Sequence, residues 1–274
     1  MRQWLASQRN YFLLALAFFT RLPIPADTPY SAERLNRASR YFGLVGLVVG
    51  LLNALILWAG HLLFPLSVAI LLSLVFSLLL TGAFHEDGLT DMSDGIGGGL
   101  SRECKLSIMK DSRIGTYGAV TLFMALLLKY TLLQELATPD LSVVLLALIL
   151  MHPLSRILSG TLLFDMRYVQ DESSSKSKPL ANQQNSTDLL LLLLTAALLL
   201  LLLSWQASSL MILMLTLFRY LFRHWLNGHL GGYTGDCLGG AQQLAELLGY
   251  LLLLALHYHH IPLSNHLLHG LTGA

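Results

Sequence analysis

Four acidic residues fall within nine positions of the chain, in the stretch FHEDGLTDMSDGIGGG at residues 84–99. They are Glu86, Asp87, Asp91 and Asp94. In a helix, spacings of four and three residues would place the three aspartates on one face, where like charges repel each other. A divalent cation would relieve that repulsion, and oxygen ligands without Cys or several His favour Mg²⁺ or Mn²⁺ over zinc. The cluster therefore predicts a magnesium site.

A magnesium site of this kind implies a substrate that carries phosphate, because Mg²⁺ commonly combines one or two carboxylates with substrate phosphates. The glycines at positions 95 and 97–99 would let a phosphate approach the backbone closely, although the chain has no GxxxxGK[ST] loop. His85 precedes the acidic residues. It fits a ligand, an acid or base, or a histidine at the membrane interface, and the sequence leaves these roles open.

Two cations in the stretch IMKDSRIGTYG, residues 108–118, suit a phosphate group. Lys110 and Arg113 are three residues apart and would share a helix face. Lysine offers phosphate a point charge, and arginine offers a bidentate fork. Asp111 lies between them. The alternative role for both cations is to anchor the chain at the cytoplasmic surface of a membrane.

A second glycine-rich stretch, NGHLGGYTGDCLGG at residues 227–240, carries Thr234 and Asp236. If both stretches face the same side of a membrane, they predict one shared site. The alternative is that Asp236 only caps a helix that begins near Leu238.

These polar stretches interrupt a chain that is 54% hydrophobic and only 12% charged. Soluble domains carry about 25% charged residues, and several apolar runs here are long enough to cross about 30 Å of hydrocarbon.

We predict an all-α fold, a polytopic membrane helix bundle that forms one integral membrane domain over residues 1–274. It has about seven transmembrane helices and a short N-terminal interfacial helix at Tyr11–Thr20. The predicted spans are Tyr41–Gly60, Leu66–Phe84, Tyr117–Leu136, Leu141–Leu163, Asp188–Ser204, Ser208–Leu226 and Ala241–His260.

Lysine and arginine are distributed unevenly among the connecting segments. They occur before the first predicted span, after the second and fourth spans and near the end of the sixth, whereas the alternate connections contain none. Because positive residues favour the cytoplasmic side, we expect a cytoplasmic N-terminus and a periplasmic C-terminus. The catalytic loops, approximately residues 84–116 and 224–246, would then both be cytoplasmic.

The polar motifs occur in an order that resembles a known family. The stretch FFTRLPIP at residues 18–25 is followed by GAFHEDGLTDMSDGIGGG, MKDSRIGTYGA and GGYTGDCLGGAQQLAE. Together they resemble the membrane cobalamin synthase family, also called adenosylcobinamide-GDP ribazoletransferase or cobalamin-5′-phosphate synthase. The resemblance spans essentially the whole chain, and its motifs are long and unusual.

The resemblance implies a Mg²⁺-dependent enzyme of the bacterial inner membrane that completes the lower nucleotide loop of cobalamin. It would join adenosylcobinamide-GDP to α-ribazole, or to α-ribazole 5′-phosphate, and release GMP. This chemistry needs a metal at the phosphates, cations on the leaving group and a base for the attacking hydroxyl. We expect the lipid bilayer as a further partner and no nucleic acid, and a homo-oligomer is left open.

The candidate residues take roles in this reaction as hypotheses. The predicted metal ligands are Glu86, Asp87, Asp91 and Asp94, one of which could instead be the base. The predicted catalytic residues are Asp87, Asp91, Asp94, Lys110, Arg113 and Asp236. The predicted substrate contacts are His85, Lys110, Asp111, Arg113, Thr234 and Asp236. Lys110 and Arg113 would hold the pyrophosphate or the departing GMP, and Asp236 would complete the site.

Two other functions fit parts of the sequence. A CDP-alcohol phosphotransferase that acts on lipid would have an arginine soon after the Asp-Gly pair, but no arginine follows Asp87-Gly88 until Arg102. A membrane transporter would make use of Lys129 and Arg156, which lie inside predicted spans. Transporters commonly carry internal repeats and broken helices near the midplane, and the sequence has no evident repeat.

Overall fold

The computed structural model describes residues 2–138, 140–169 and 184–264, apart from the side chain of Arg2. Within these ranges the ordered elements are eleven α-helices and one short 3₁₀ turn, so the prediction of an all-α fold is confirmed. The helices are α1 (Arg2–Phe19), α2 (Ala32–Ala38), α3 (Phe42–His61), α4 (Leu66–Thr81), α5 (Phe84–Gly98), α6 (Arg102–Met109), α7 (Thr116–Ala137), α8 (Leu141–Leu162), α9 (Ser186–Leu200), α10 (Trp205–Leu230) and α11 (Gly235–Tyr258). The 3₁₀ turn, Ser39–Tyr41, joins α2 to α3.

The helices include five that are long and apolar enough to cross a membrane, which makes the chain a multi-pass membrane protein. These spans are Ala32–His61, Thr116–Ala137, Leu141–Leu162, Trp205–Leu230 and Gly235–Tyr258. A sixth arises if α4 and α5, which meet at 85°, count as one broken span. The number is thus five or six in the described part of the chain, against about seven predicted.

The second predicted span, Leu66–Phe84, corresponds to α4, which ends at Thr81 because the next two residues have left-handed backbone conformations. Gly82 has φ 65° and Ala83 has φ 54°, a left-handed conformation that glycine adopts without strain and that costs other residues roughly 1–2 kcal/mol. Gly82 also packs so closely that a Cβ there would lie 2.7 Å from Arg21 Nε. The chain therefore leaves α4 and starts α5 in a new direction.

Other boundaries also differ from the prediction. The fifth predicted span, Asp188–Ser204, corresponds to α9, whose 15 residues are fewer than a full crossing needs. Helix α1 covers 18 residues rather than the ten of Tyr11–Thr20, and its place at the membrane surface stays a prediction. The two predicted catalytic loops, residues 84–116 and 224–246, are largely helical. The predicted periplasmic C-terminus lies beyond Ser264, outside the described residues.

The centre of the bundle is the pairing of α3 with α8, which glycines allow to approach closely. A Cβ on Gly46 would lie 2.5 Å from Pro153 Cα and 2.6 Å from His152 O, and a Cβ on Gly50 would lie 2.6 Å from Leu148 O. Gly46 and Gly50 form the small-xxx-small pattern that lets membrane helices pack backbone to backbone. Helix α11 packs against α8, and α5 in turn packs against α11 and α7.

Substitution of Gly46 by alanine tests this close packing. The added methyl group must displace helix backbone rather than a flexible side chain, so we expect Gly46→Ala to lower the free energy of unfolding by about 1–3 kcal/mol. The matched control is Gly228→Ala in α10, where nothing lies within 4 Å of the new Cβ. That change should be neutral or stabilising by up to about 1 kcal/mol. Thermal unfolding in detergent measures both, and equal shifts would contradict the packing argument.

Candidate active site

The two glycine-rich acidic segments meet where α5 crosses the start of α11. A Cβ on Gly88 would lie 3.0 Å from Asp236 O and 3.1 Å from Gly239 Cα, so the two backbones are in direct contact. Asp87 and Asp236 are close enough for their carboxylates to repel each other. The structure thus brings a residue of the first stretch beside a residue of the second, as a shared site requires.

The segment that carries Asp236 is fixed by backbone contacts on both sides. Helix α10 ends at Leu230 and is capped by Gly231, which has φ +71°. Tyr233 N–H then donates to Arg167 O at 2.9 Å, and Val169 N–H donates to Tyr233 O at 3.0 Å. Burial raises the pKa of Tyr233 to about 12, so the phenol stays neutral. These contacts hold the turn rigid directly before α11 begins.

Thr234, rather than Asp236, caps α11. Its side chain accepts a hydrogen bond from Cys237 N at 3.3 Å, and its hydroxyl lies 3.3 Å from Asp236 Oδ2. Asp236 occupies the second position of the first turn, where the positive end of the helix dipole favours a negative charge. The alternative prediction, that Asp236 is the capping residue, is therefore wrong, and its carboxylate is held at the crossing by Thr234.

The acidic cluster on α5 is split between the surface and the interior. Asp87 is exposed and Asp91 is half-buried, whereas Glu86 and Asp94 are buried. Asp94 Oδ2 accepts a hydrogen bond from Gly115 N at 2.7 Å, and its Oδ1 accepts one from Gly118 N at 2.8 Å. These amides belong to the N-cap and the first turn of α7, so Asp94 ties α5 to α7.

Glu86 turns into the helix bundle. Its Oε1 accepts a hydrogen bond from Gln243 Nε2 at 3.0 Å, and its Oε2 is buried without a hydrogen-bond partner. His85 is also inside, 3% exposed, with its ring stacked on Phe19 at a centroid distance of 5.5 Å. The predicted metal role of Glu86 and the predicted substrate role of His85 stay predictions, and both side chains lie beneath the surface that carries Asp87.

Magnesium fits the carboxylates that the crossing places near the surface. The described residues contain no group of three or more His, Cys, Asp or Glu side chains arranged to hold a metal ion. A complete protein cage is not needed, because Mg²⁺ usually takes one or two carboxylates and completes its shell with water and phosphate. Asp87 and Asp91 on α5, with Asp236 opposite, supply oxygen donors of that type.

The predicted phosphate-binding cations lie beside this cluster, between α6 and α7. Arg113 Nε donates to both carboxylate oxygens of Asp111 at 3.0 Å, and these hydrogen bonds lower the pKa of Asp111 to about 2. The pair borders a cavity of 510 Å³ that Asp94 and Tyr117 also line. Lys110 is exposed immediately before the pair. The pair is neutral as a whole, and Lys110 adds a further cation to this segment.

A buried polar network inside the bundle escaped the sequence analysis. Lys129 Nζ lies 2.6 Å from Glu246 Oε1. The same carboxylate accepts hydrogen bonds from Tyr250 Oη at 3.0 Å and from Gln242 Nε2 at 2.6 Å, and His152 Nδ1 is 3.6 Å from its Oε2. The sequence did contain a signal for this network. A charge inside an apolar span needs a partner, and Lys129 and Glu246 carry opposite charges in different predicted spans.

The network extends from Glu246 to the acidic helix. Gln243 Nε2 lies 2.9 Å from Gln242 Oε1 and 3.0 Å from Glu86 Oε1, so side-chain contacts run without a gap from Lys129 on α7 to Glu86 on α5. Arg156 is buried at the same level, and its Nη1 donates to His152 O at 2.9 Å. The network thereby fixes α5 against α11 below the candidate site.

Comparison with known proteins identifies the family. The family model described as cobalamin-5-phosphate synthase matches residues 11–254. The chain is 55% identical to an adenosylcobinamide-GDP ribazoletransferase of Vibrio parahaemolyticus over 91% of this chain and 94% of that one. This chain belongs to the cobalamin-5-phosphate synthase family. Proteins of the same name from Vibrio cholerae and Shewanella piezotolerans are each 52% identical, over 93% of this chain and 97% and 98% of theirs.

Membership of the cobalamin-5-phosphate synthase family confirms the resemblance inferred from the motifs. The comparisons do not support the alternative functions, a lipid phosphotransferase and a transporter. No solved structure matches the chain. The matched region, residues 11–254, contains both acidic segments and the buried network.

Removal of one partner from the buried ion pair tests the network. Glu246→Gln leaves Lys129 charged without its carboxylate, and breaking a buried pair typically costs about 3–5 kcal/mol. We expect a large fall in the thermal unfolding midpoint, with partial recovery in the double variant Lys129→Met/Glu246→Gln. The exposed pair of Arg37 and Glu33, 3.0 Å apart, is the matched control, and Glu33→Gln should cost less than about 0.5 kcal/mol. Equal effects at the two sites would refute the argument.

Proposed function

We propose that this protein joins adenosylcobinamide-GDP to α-ribazole, or to α-ribazole 5′-phosphate, with release of GMP. The product is adenosylcobalamin or its 5′-phosphate. The relatives that cover nearly the whole chain carry the name adenosylcobinamide-GDP ribazoletransferase. The observation that carries the proposal is the crossing of α5 and α11, which sets Asp87 beside Asp236. Further along α5, Asp94 borders a cavity that Arg113 also lines.

The reaction exchanges one bond to phosphorus for another. A hydroxyl oxygen of α-ribazole forms a bond to the phosphorus on the cobinamide side, and the bond from that phosphorus to GMP breaks. The hydroxyl proton passes to a carboxylate, and the departing GMP keeps the bonding electrons. Such displacements depend mainly on positioning and on stabilisation of charge at the phosphates, so the residues that hold and orient the pyrophosphate matter most.

The residues at the crossing and at the cavity have separate roles in binding the metal and the phosphates. Asp87, with either Asp91 or Asp236, would hold Mg²⁺, which when bound would neutralise charge on the pyrophosphate. Lys110 and Arg113 bind the pyrophosphate or the departing GMP from the side of the cavity. Because Asp111 engages Arg113 at 2.5–3.0 Å, it orients the guanidinium toward a bound phosphate. Asp94 acts one layer deeper, by anchoring the start of α7 to α5.

We also propose where the protein resides and how it is oriented. The distribution of lysine and arginine supports a bacterial inner membrane protein with a cytoplasmic N-terminus and a periplasmic C-terminus. In that orientation the crossing of α5 and α11 faces the cytoplasm, where water-soluble α-ribazole and GMP can enter and leave.

Substitution of the surface carboxylates tests the proposed site. We expect Asp87→Asn and Asp91→Asn each to lower turnover by at least about 100-fold, because each removes a charge that must balance the phosphates. Glu103→Gln, an exposed carboxylate on neighbouring α6, is the matched control and should retain nearly full activity. Chromatography of cobalamin and GMP, with purified protein in liposomes, measures the effect.

The same assay tests the metal requirement and the function itself. A chelator should abolish product formation, and added Mg²⁺ should restore it. No product from folded wild-type protein with Mg²⁺ present would overturn the proposed function. Full activity of both folded variants would leave the function standing and would remove the acidic cluster from the mechanism.

A further inference from the structure

A deep apolar crevice opens between α8, α9 and α10, away from the candidate active site. Its volume is 670 Å³, within the range of about 300–1,000 Å³ typical of small-molecule sites. Leu158 on α8, Leu200 on α9 and Leu215 on α10 are representative of its mostly aliphatic lining. The crevice extends along α10 from Trp205 to Arg219, roughly 21 Å at the helical rise of about 1.5 Å per residue.

In the part of the chain that the structure describes, one end of the crevice carries a net positive charge. Arg219 Nη2 donates to Asp165 Oδ1 at 2.7 Å, and Arg219 Nε donates to Thr161 Oγ1 at 2.7 Å. Arg223, one turn further along α10, places its Nε 3.2 Å from Asp165 Oδ2 in a geometry that makes no hydrogen bond. Two guanidinium groups therefore share one carboxylate, and all three side chains are between 27% and 39% exposed.

The charged end lies at the same end of the bundle as the candidate active site. Asp165 follows the end of α8, and the chain from Arg167 to Val169 pairs with Tyr233 immediately before Thr234. The opposite end of the crevice lies at Trp205, the first residue of α10. The distance between the two ends exceeds the roughly 15 Å of hydrocarbon in one leaflet.

We propose that this crevice binds one anionic glycerophospholipid, with an acyl chain along the apolar lining and the phosphate at Arg219 and Arg223. The lining matches an acyl chain in chemistry and length. The spare positive charge matches an anionic headgroup, and basic pockets between membrane helices bind such lipids. A water-soluble anion would satisfy the guanidinium groups but would leave the apolar lining uncovered, and a zwitterionic lipid would gain nothing from the net charge.

The experiment is competitive lipid retention. Wild-type protein is reconstituted in equal amounts of phosphatidylcholine and phosphatidylglycerol, extracted in mild detergent and analysed by native mass spectrometry. We expect phosphatidylglycerol to be retained about fivefold more than phosphatidylcholine, the preference that one uncompensated cation gives at a membrane surface. Equal retention of the two lipids by the folded wild type would overturn the proposal.

Two variants with opposite expected effects on the lipid preference distinguish loss of headgroup binding from loss of folding. Arg223→Gln leaves Arg219 paired with Asp165 and removes the net charge, so the preference should disappear. Asp165→Asn removes the one carboxylate that the described residues contribute to the cluster and should increase the preference for phosphatidylglycerol. A loss of folding explains a decrease in retention but not an increase, so the pair is diagnostic. Persistence of the preference in folded Arg223→Gln, or its fall in Asp165→Asn, would contradict the proposed headgroup site.

Two more variants locate the lipid. Ala196→Phe fills the crevice from α9 and should reduce retention of both lipids while it leaves the charged cluster intact. Arg37→Gln removes one arginine that also shares a pair with a carboxylate, Glu33, but lies on α2 outside the crevice. It should keep the fivefold preference. If Arg37→Gln abolished the preference as Arg223→Gln does, the effect would belong to overall charge and the site would be rejected.

Discussion

The contact between Gly88 and Gly239 is the constraint on which the candidate site depends. Only residues without a side chain let the backbones of α5 and α11 come this close, and the acidic residues on either side follow from that approach. A larger residue at either glycine would separate Asp87 from Asp236. The left-handed pair Gly82-Ala83 makes the crossing possible, because it ends α4 and sends the acidic helix across the bundle at 85°.

The layer below the crossing explains how so much negative charge is held at one place. Glu86 and Asp94 direct their carboxylates to Gln243 and to the amides at the start of α7, where each is stabilised by protein groups. That arrangement leaves Asp87 and Asp91 at the surface, with fewer like charges to repel. Two acids of the stretch therefore stabilise the packing of α5, and the other two are the ones for which we propose a catalytic role.

The sequence predicted the helices, the membrane and the meeting of the two acidic segments, since these depend on apolar runs and on motifs that are local. It did not predict the end of α4, because Phe84 continues the apolar run across a break set by backbone dihedral angles. Nor did it divide the acidic residues between interior and surface, because that depends on Gln243, which is 157 residues from Glu86. Lys129 and Glu246 were visible as charges within spans, but pairing them requires the packing of α7 against α11.

The ion pair between Lys129 and Glu246 has a consequence for biogenesis. Each residue lies near the middle of its span, where an isolated charge raises the cost of insertion by roughly 2.5–3.5 kcal/mol. Helix α7 is synthesised well before α11, so during translation Lys129 is committed to the bilayer while its carboxylate is still on the ribosome. A nascent chain that stops before α11 keeps an unmatched ammonium group in the hydrocarbon region. The cost of inserting α7 is therefore fully offset only after α11 has been synthesised and has packed against it.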